Sequence, residues 1–246
     1  MAVKKKILII DGVHASYGAA KVLEGVSCDL TEGDIVVVLG TNGSGKSTLL
    51  KCICGVVRPS SGNIVLSIGG RNTSLVGKKL YETARLGIIF IAEGRRILRD
   101  LTVRENLLIA AYTKRARQRF KENLKIAYDL FPVLQERENQ MAGTLSGGQQ
   151  QMLVLAMGLL SDPRILLIDE PSQGLAPILV RDIMKKVKEL RDDYGLTILM
   201  SEQNFVEAAK IADRGYVLSH GKIVLEGEVS KIADLDVVKK YYFALD

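Results

Sequence analysis

The sequence predicts an α/β fold with a mixed-sheet core, a flanking antiparallel β lobe and an inserted α-helical subdomain. Three observations lead there. Short β-branched apolar runs at 34–39 (DIVVVL), 87–91 (GIIFI) and 164–169 (RILLID) read as buried strands. The segments 47–54, 102–112, 117–131 and 147–160 instead space their apolar residues as helices do. Most of those helices fall between two of the strands, so the core is expected to be interrupted rather than extended.

In chain order, residues 6–31, with apolar stretches at 7–10 and 26–30, read as strands of a small antiparallel sheet that 63–67 continues. The core strand 34–39 leads through GTNGSGKST at 40–48 into the helix 47–54. Within 102–131, Thr102 and Glu105 form a capping box, and Pro132 is expected to end the helix 117–131. Ser146 is placed to cap 147–160. A long helix at 177–194, a strand at 196–200 and a hairpin around 219–222 close the core. The expected division is 1–91 with 163–246 as core and antiparallel lobe, and 92–162 as the inserted helical subdomain.

The segment 40–48 carries the chemistry. Gly40 and Gly45 bracket Thr41, Asn42, Gly43 and Ser44, and Lys46, Ser47 and Thr48 follow, completing a G-x-x-x-x-G-K-[ST] pattern between strand and helix. Glycines allow close approach of the backbone to phosphate oxygens, and the N–H groups of Asn42 through Thr48 are expected to point inward at a helix start that favours anions. Lys46 would reach the β- and γ-phosphates of ATP, and the Ser47 hydroxyl would join a Mg²⁺ shell. The strand 164–169 ends in Asp169 and Glu170, at the sheet edge where ligands of open α/β folds sit. Asp169 is expected to hold Mg²⁺ through water, and Glu170 to orient or deprotonate the attacking water.

These motifs, with LSGGQ at 145–149, resemble the nucleotide-binding subunit of an ABC transporter across nearly the whole chain. The resemblance implies an ABC-type P-loop ATPase core. It implies that Leu145, Ser146, Gly147, Gly148 and Gln149 clamp the γ-phosphate of ATP bound to a facing subunit. Tyr17 falls where the family stacks an aromatic on adenine, and Ser172, Gly174 and Leu175 match a turn that contacts the opposite subunit.

Departures from the pattern are specific. Glu93 stands where the family usually has glutamine, and is counted with Ser47 and Asp169 as a candidate Mg²⁺ ligand. Gln203 replaces the usual histidine near the γ-phosphate; it can donate to a phosphate oxygen but cannot become a cation. Ala176 stands where many relatives carry aspartate. The histidines present, His14 and His220, are read as turn or surface residues. EGRRI at 93–97, SQGLAP at 172–177, EQN at 202–204 and DRGYVL at 213–218 resemble an ATPase subunit of branched-chain amino acid importers, with urea and short-amide importers very similar.

The resemblance implies partners: two integral membrane permeases, a second ATPase subunit that is identical or related, and indirectly an extracytoplasmic solute-binding protein. It implies a peripheral position on the cytoplasmic face of the membrane. The apolar runs at 87–92 and 165–168 are far short of the ~20 residues that span a bilayer, and 7–10 is too short for a signal peptide. Any solute pathway is therefore expected in other chains. Cys28, Cys52 and Cys54 lack metal-site spacing and read as reduced core thiols.

The formal charge of +6 leaves a competing class, a nucleic-acid clamp of the same ATPase family. Such relatives usually carry a long coiled coil or two fused ATPase domains. Neither fits this chain, so no nucleic-acid partner is expected; an exporter ATPase is the other alternative. Arg95, Arg96 and Arg99 are read as a partner surface, and 114–121 (KRARQRFK) as a solvated helix face.

Overall fold

The computed structural model describes residues 5–232; residues 1–4 and 233–246 of the expected core lie outside the described residues. Strand β1 (Lys6–Tyr17) and strand β2 (Ala20–Thr31) form a hairpin with Tyr17 opposite Ala20 at its tip. The fully buried β3 (Ile35–Leu39) leads through the loop 40–45 into α1 (Lys46–Cys54). A second hairpin, β4 (Ser61–Ile68) and β5 (Arg71–Ser74), precedes α2 (Leu80–Arg85) and β6 (Ile88–Ile91).

Helices follow: α3 (Val103–Ala110), α4 (Lys114–Gln118), α5 (Phe120–Leu130), α6 (Pro132–Glu136) and α7 (Gly147–Leu160). The core resumes with β7 (Ile165–Asp169), α8 (Pro177–Asp192), β8 (Thr197–Glu202), α9 (Phe205–Ala209), β9 (Arg214–Ser219), β10 (Lys222–Glu228) and α10 (Val229–Ile232).

The main sheet has the order β10-β9-β3-β8-β7-β6, parallel except for β10 at one edge. Period-two alternation splits its side chains between two cores. Ile35, Val37, Leu39, Leu166 and Ile168 face the helical side. Val36, Val38, Ile165 and Leu167 face α1 and the antiparallel sheet β2-β1-β4-β5. Strands covered on both faces read as continuous apolar runs, which is why they stand out in the sequence.

Asp29 ties the two sheets together. Its carboxylate takes Arg214 Nη1 at 2.8 Å and Lys6 Nζ at 2.9 Å, while its N–H donates to Tyr216 Oη at 3.1 Å.

Helical details differ from expectation. The helix foreseen at 117–131 divides at Arg119, whose backbone leaves the helical region (φ −100°, ψ 9°). Arg115 and Arg119, on either side of α4's end, both reach the buried Asp162: Arg115 Nε lies 2.6 Å and Arg119 Nη1 2.9 Å from its oxygens. The segment 114–121 is therefore not simply a solvated face; two of its cations bind the end of α7, and Ala116 is fully buried. Pro132 ends α5 as expected but also opens α6, since a proline at the first helical position lacks only an N–H that would go unused. The capping box at Thr102/Glu105 forms as read, and Ser146 caps α7 as expected, with Gln149 completing a further capping box there. His220 occupies the β9–β10 turn with φ 46°, whereas His14 lies exposed in β1 rather than in a turn.

Candidate functional site

The carboxyl ends of β3 and β7 open into a cleft of about 430 Å³ walled by Tyr17, Asn42, Gly43, Lys46, Ser47 and Glu170, among others. The loop 40–45 is shaped by packing against the protein itself. A Cβ on Gly40 would meet Leu218 O at 2.4 Å, and one on Gly45, held at φ 110°, would meet Val22 O at 2.9 Å. Gly45 supplies no side-chain cap to α1, so the first N–H groups of that helix stay open to an anion. One loop amide behaves otherwise than expected: Ser44 N–H donates to Thr41 O at 3.2 Å, closing the loop's own turn instead of facing a ligand.

Lys46 is nearly enclosed. Its ammonium donates to Gly40 O at 2.9 Å and Thr41 O at 3.0 Å, and lies 3.1 Å from Glu170 Oε1. Gly40 and Thr41 thus act through their carbonyls, behind the cleft wall. Glu170 carries a left-handed backbone (φ 47°), an unfavourable conformation for a residue with a side chain, held by its N–H donating to Ser201 O and Ser201 Oγ, each at 3.1 Å.

Asp169 is 2% exposed. Its Oδ1 accepts from Ser47 Oγ at 2.9 Å and Ser201 Oγ at 2.6 Å, while its Oδ2 is buried without a partner. An ionised oxygen in that position calls for a cation or water. Among the described residues no group of three or more His, Cys, Asp or Glu is placed to hold a metal. Mg²⁺ binds one or two carboxylates and otherwise keeps waters and substrate phosphates. Ser47 and Asp169 fit such an ion, and Glu93 stands exposed on the cleft wall.

The structure brings together Tyr17, Asn42, Gly43, Gly45, Lys46, Ser47, Thr48, Glu93 and Glu170. It leaves Gln203 exposed and outside the cleft walls. None of Leu145, Ser146, Gly147, Gly148 or Gln149 lines the cleft either. Ser146 caps α7, accepting from Gln149 N at 3.4 Å, and Gln149 Oε1 accepts from Ser146 N at 3.0 Å.

Arg95 is turned inward rather than lying wholly on a partner surface. Its guanidinium donates to Gly174 O at 3.1 Å and packs over Gly147, joining the 93–99 loop, the 172–176 turn and the start of α7.

Sequence reasoning missed Val22 and Gln173 on the cleft wall, and Ser201 and Glu202 behind it. Glu202, 1% exposed, accepts from Ser172 N at 3.0 Å, Ser172 Oγ at 2.8 Å and Asn204 N at 3.3 Å. Burial pushes its carboxyl above the usual range, with the Ser172 and Asn204 bonds opposing. The available signal for both was a polar pair ending the apolar run TILM.

Comparison with known proteins agrees with this geometry. The family described as ABC transporter matches residues 23–173. High-affinity branched-chain amino acid transport ATP-binding protein BraG of Pseudomonas aeruginosa is 42% identical over 219 residues, covering 89% of this chain and 91% of the relative. Probable branched-chain amino acid transport ATP-binding protein LivF of Archaeoglobus fulgidus is 38% identical over 228 residues, covering 93% of this chain and 94% of the relative. Among solved structures, MJ1267, an ATP-binding cassette of an ABC transporter, aligns with a TM-score of 0.82 at 30% identity, covering 96% of this chain and 99% of that one.

Proposed function

This chain belongs to the ABC transporter family, and on that premise we propose that it is the ATP-hydrolysing subunit of an importer of branched-chain amino acids. The protein is an ATPase. The observation that carries the site assignment is the convergence of Lys46, Ser47, Asp169 and Glu170 at one cleft, joined by contacts of 2.9 Å and 3.1 Å between loop and strand. The solute assignment rests on the 42% and 38% identical relatives whose names specify branched-chain amino acid transport.

ATP lies with its base against Tyr17 and Val22 and its phosphates on the amides of Asn42, Gly43 and Gly45 to Thr48, with Lys46 at the terminal phosphates. Ser47 and Asp169 would hold Mg²⁺, which would supply neutralisation of phosphate charge. Glu170 orients the attacking water and accepts its proton.

A second ATPase subunit completes the site. Residues 145–149 are absent from the walls of their own chain's cleft, and they begin a helix whose N-terminus favours anions. They therefore serve ATP bound on the facing subunit, and nucleotide favours the closed pair through differential affinity. Gln203 is exposed and outside the cleft walls, and the family resemblance makes it the residue that closure would bring toward the γ-phosphate.

No helix among the described residues is long and apolar enough to cross a membrane. On the likeness to transport ATP-binding proteins, the solute path is assigned to permease partners and this subunit to the cytoplasmic face. An apolar groove of about 520 Å³, with Leu80, Phe90, Arg96, Ile109, Tyr112 and Met157 among its walls, lies between core and helical insertion and suits a short permease helix.

Affinity capture from solubilised native membranes, read by mass spectrometry, tests the assembly. Two integral membrane proteins and an ATPase should be recovered; ribosomal or DNA-associated proteins with no membrane partner would overturn the transport reading. Uptake of labelled leucine, set against urea, in cells lacking the subunit then tests the solute.

A further inference from the structure

Ser201 closes β8 with a hydroxyl that touches no cleft surface and is 0% exposed. It nevertheless contacts both acidic residues of the site. Its Oγ donates to Asp169 Oδ1 at 2.6 Å and accepts from Glu170 N–H at 3.1 Å, and its carbonyl accepts from the same N–H. The parallel register pairs Ser201 with Asp169, so a single residue lies beside the whole turn from strand to loop.

Counting donors shows what this does. The hydroxyl has one proton, and it goes to Asp169 Oδ1. Ser47 donates to that same oxygen at 2.9 Å, leaving Oδ2 as the buried oxygen without a partner. An aspartate's last torsion is broad, so a second donor on Oδ1 narrows the plane of the carboxylate and with it the direction in which Oδ2 points. The serine's acceptor lone pair also helps hold the left-handed backbone at Glu170.

We propose that Ser201 is a positioning residue for the ATPase reaction. Its hydroxyl fixes the plane of the Asp169 carboxylate, and so the direction in which the remaining oxygen would face Mg²⁺, and it helps hold the turn that carries Glu170. Its neighbour Glu202 extends the arrangement by holding Ser172 through both backbone and hydroxyl, so the end of β8 grips successive parts of one turn. This rests on the reading of Asp169 as a Mg²⁺ ligand.

The test uses the full-length chain and a fluorescent ATP analogue, with binding followed in EDTA and across a Mg²⁺ titration, alongside thermal unfolding. Ser201→Ala should bind the nucleotide in EDTA within about twofold of the parent. Its Mg²⁺ midpoint should rise about tenfold, the scale on which outer partners tune metal sites. Ser201→Thr, which restores a hydroxyl, should bring the midpoint back. If the alanine variant does not fold, Ser201→Cys keeps the shape with a far weaker donor and should shift the midpoint the same way.

Asp169→Asn separates the two layers of the argument. An unshifted midpoint in Asp169→Asn overturns the metal reading itself. A shifted midpoint there, with Ser201→Ala unchanged, overturns the positioning role alone. Loss of binding in EDTA by Ser201→Ala, with a matching fall in thermal stability, would reduce the residue to structural support and also overturn it.

Discussion

The ammonium of Lys46 lies 3.1 Å from Glu170 Oε1, with the two side chains only 3% and 8% exposed. The cation meant for phosphate and the carboxylate meant for water therefore neutralise one another across the cleft. Triphosphate oxygens compete with this carboxylate and with the carbonyls of Gly40 and Thr41 for the same three ammonium protons. Nucleotide binding and release of the candidate base are thereby linked through a single contact.

Glu170→Gln follows directly from that pair. The amide cannot take a proton from water, so ATP hydrolysis should fall about 10²- to 10⁴-fold, the usual contribution of a general base. ATP binding should persist because the loop amides and Lys46 remain, and the variant should elute as an ATP-dependent dimer in size-exclusion chromatography. Hydrolysis at the parent rate would remove Glu170 from the mechanism.

Tyr17 is half exposed at the tip of the first hairpin, beside Val22 on the cleft wall. Base stacking on an aromatic ring is worth about 1–3 kcal/mol, so Tyr17→Ala should weaken ATP binding roughly 5- to 150-fold. Tyr17→Phe keeps the ring face and should bind ATP as the parent does. Equal loss in both variants, measured by calorimetric titration, would point to the hydroxyl instead.

Asp29 should make the fold acid-sensitive. Burial pushes its carboxyl up, but hydrogen bonds from Lys6 and Arg214 and their charges outweigh this and hold it below the usual range. A group depressed in the folded state stabilises above its unfolded pKa of about 3.9, and that contribution is lost as pH falls through the folded value. Asp29→Asn should therefore be less stable at pH 7 and lose less stability on acidification toward pH 3. Parallel thermal-unfolding curves for parent and variant across that range would contradict the assignment.

The cysteines should be chemically silent in the folded protein. Burial pushes the Cys28 and Cys52 thiols up to about 12 and the Cys54 thiol up to about 11, so almost no thiolate exists at pH 8. A disulfide reagent such as Ellman's should label none of them until denaturant is added. Rapid labelling of the native chain would show that α1 or β2 opens locally.

Much of the fold was legible because it is written in short periods. Core strands covered on both faces appear as unbroken apolar runs, as at Ile35–Leu39 and Ile165–Asp169. The capping boxes at Thr102 and Ser146 lie within one helical turn of their partners. The phosphate loop is likewise local, nine consecutive residues whose backbone forms the cradle. Even so, the break at Arg119 escaped notice, and Asp162, with which Arg119 pairs there, lies far along the sequence.

By itself, then, the sequence determined the strand–loop–helix proposed to bind phosphate, the strand that ends in Asp169 and Glu170, and the family resemblance that the comparisons bear out. Tertiary structure alone decided that Lys46 meets Glu170, that Ser201 donates to Asp169, that Glu202 grips Ser172, and that Gln203 stands outside the cleft. The physical reason is range. Helix and strand periodicity acts over two to four residues and leaves a repeating mark. A hydrogen bond between Ser47 and Asp169 spans 122 positions and leaves none, since a serine or glutamate at a strand end is equally compatible with solvent until the sheet closes around it.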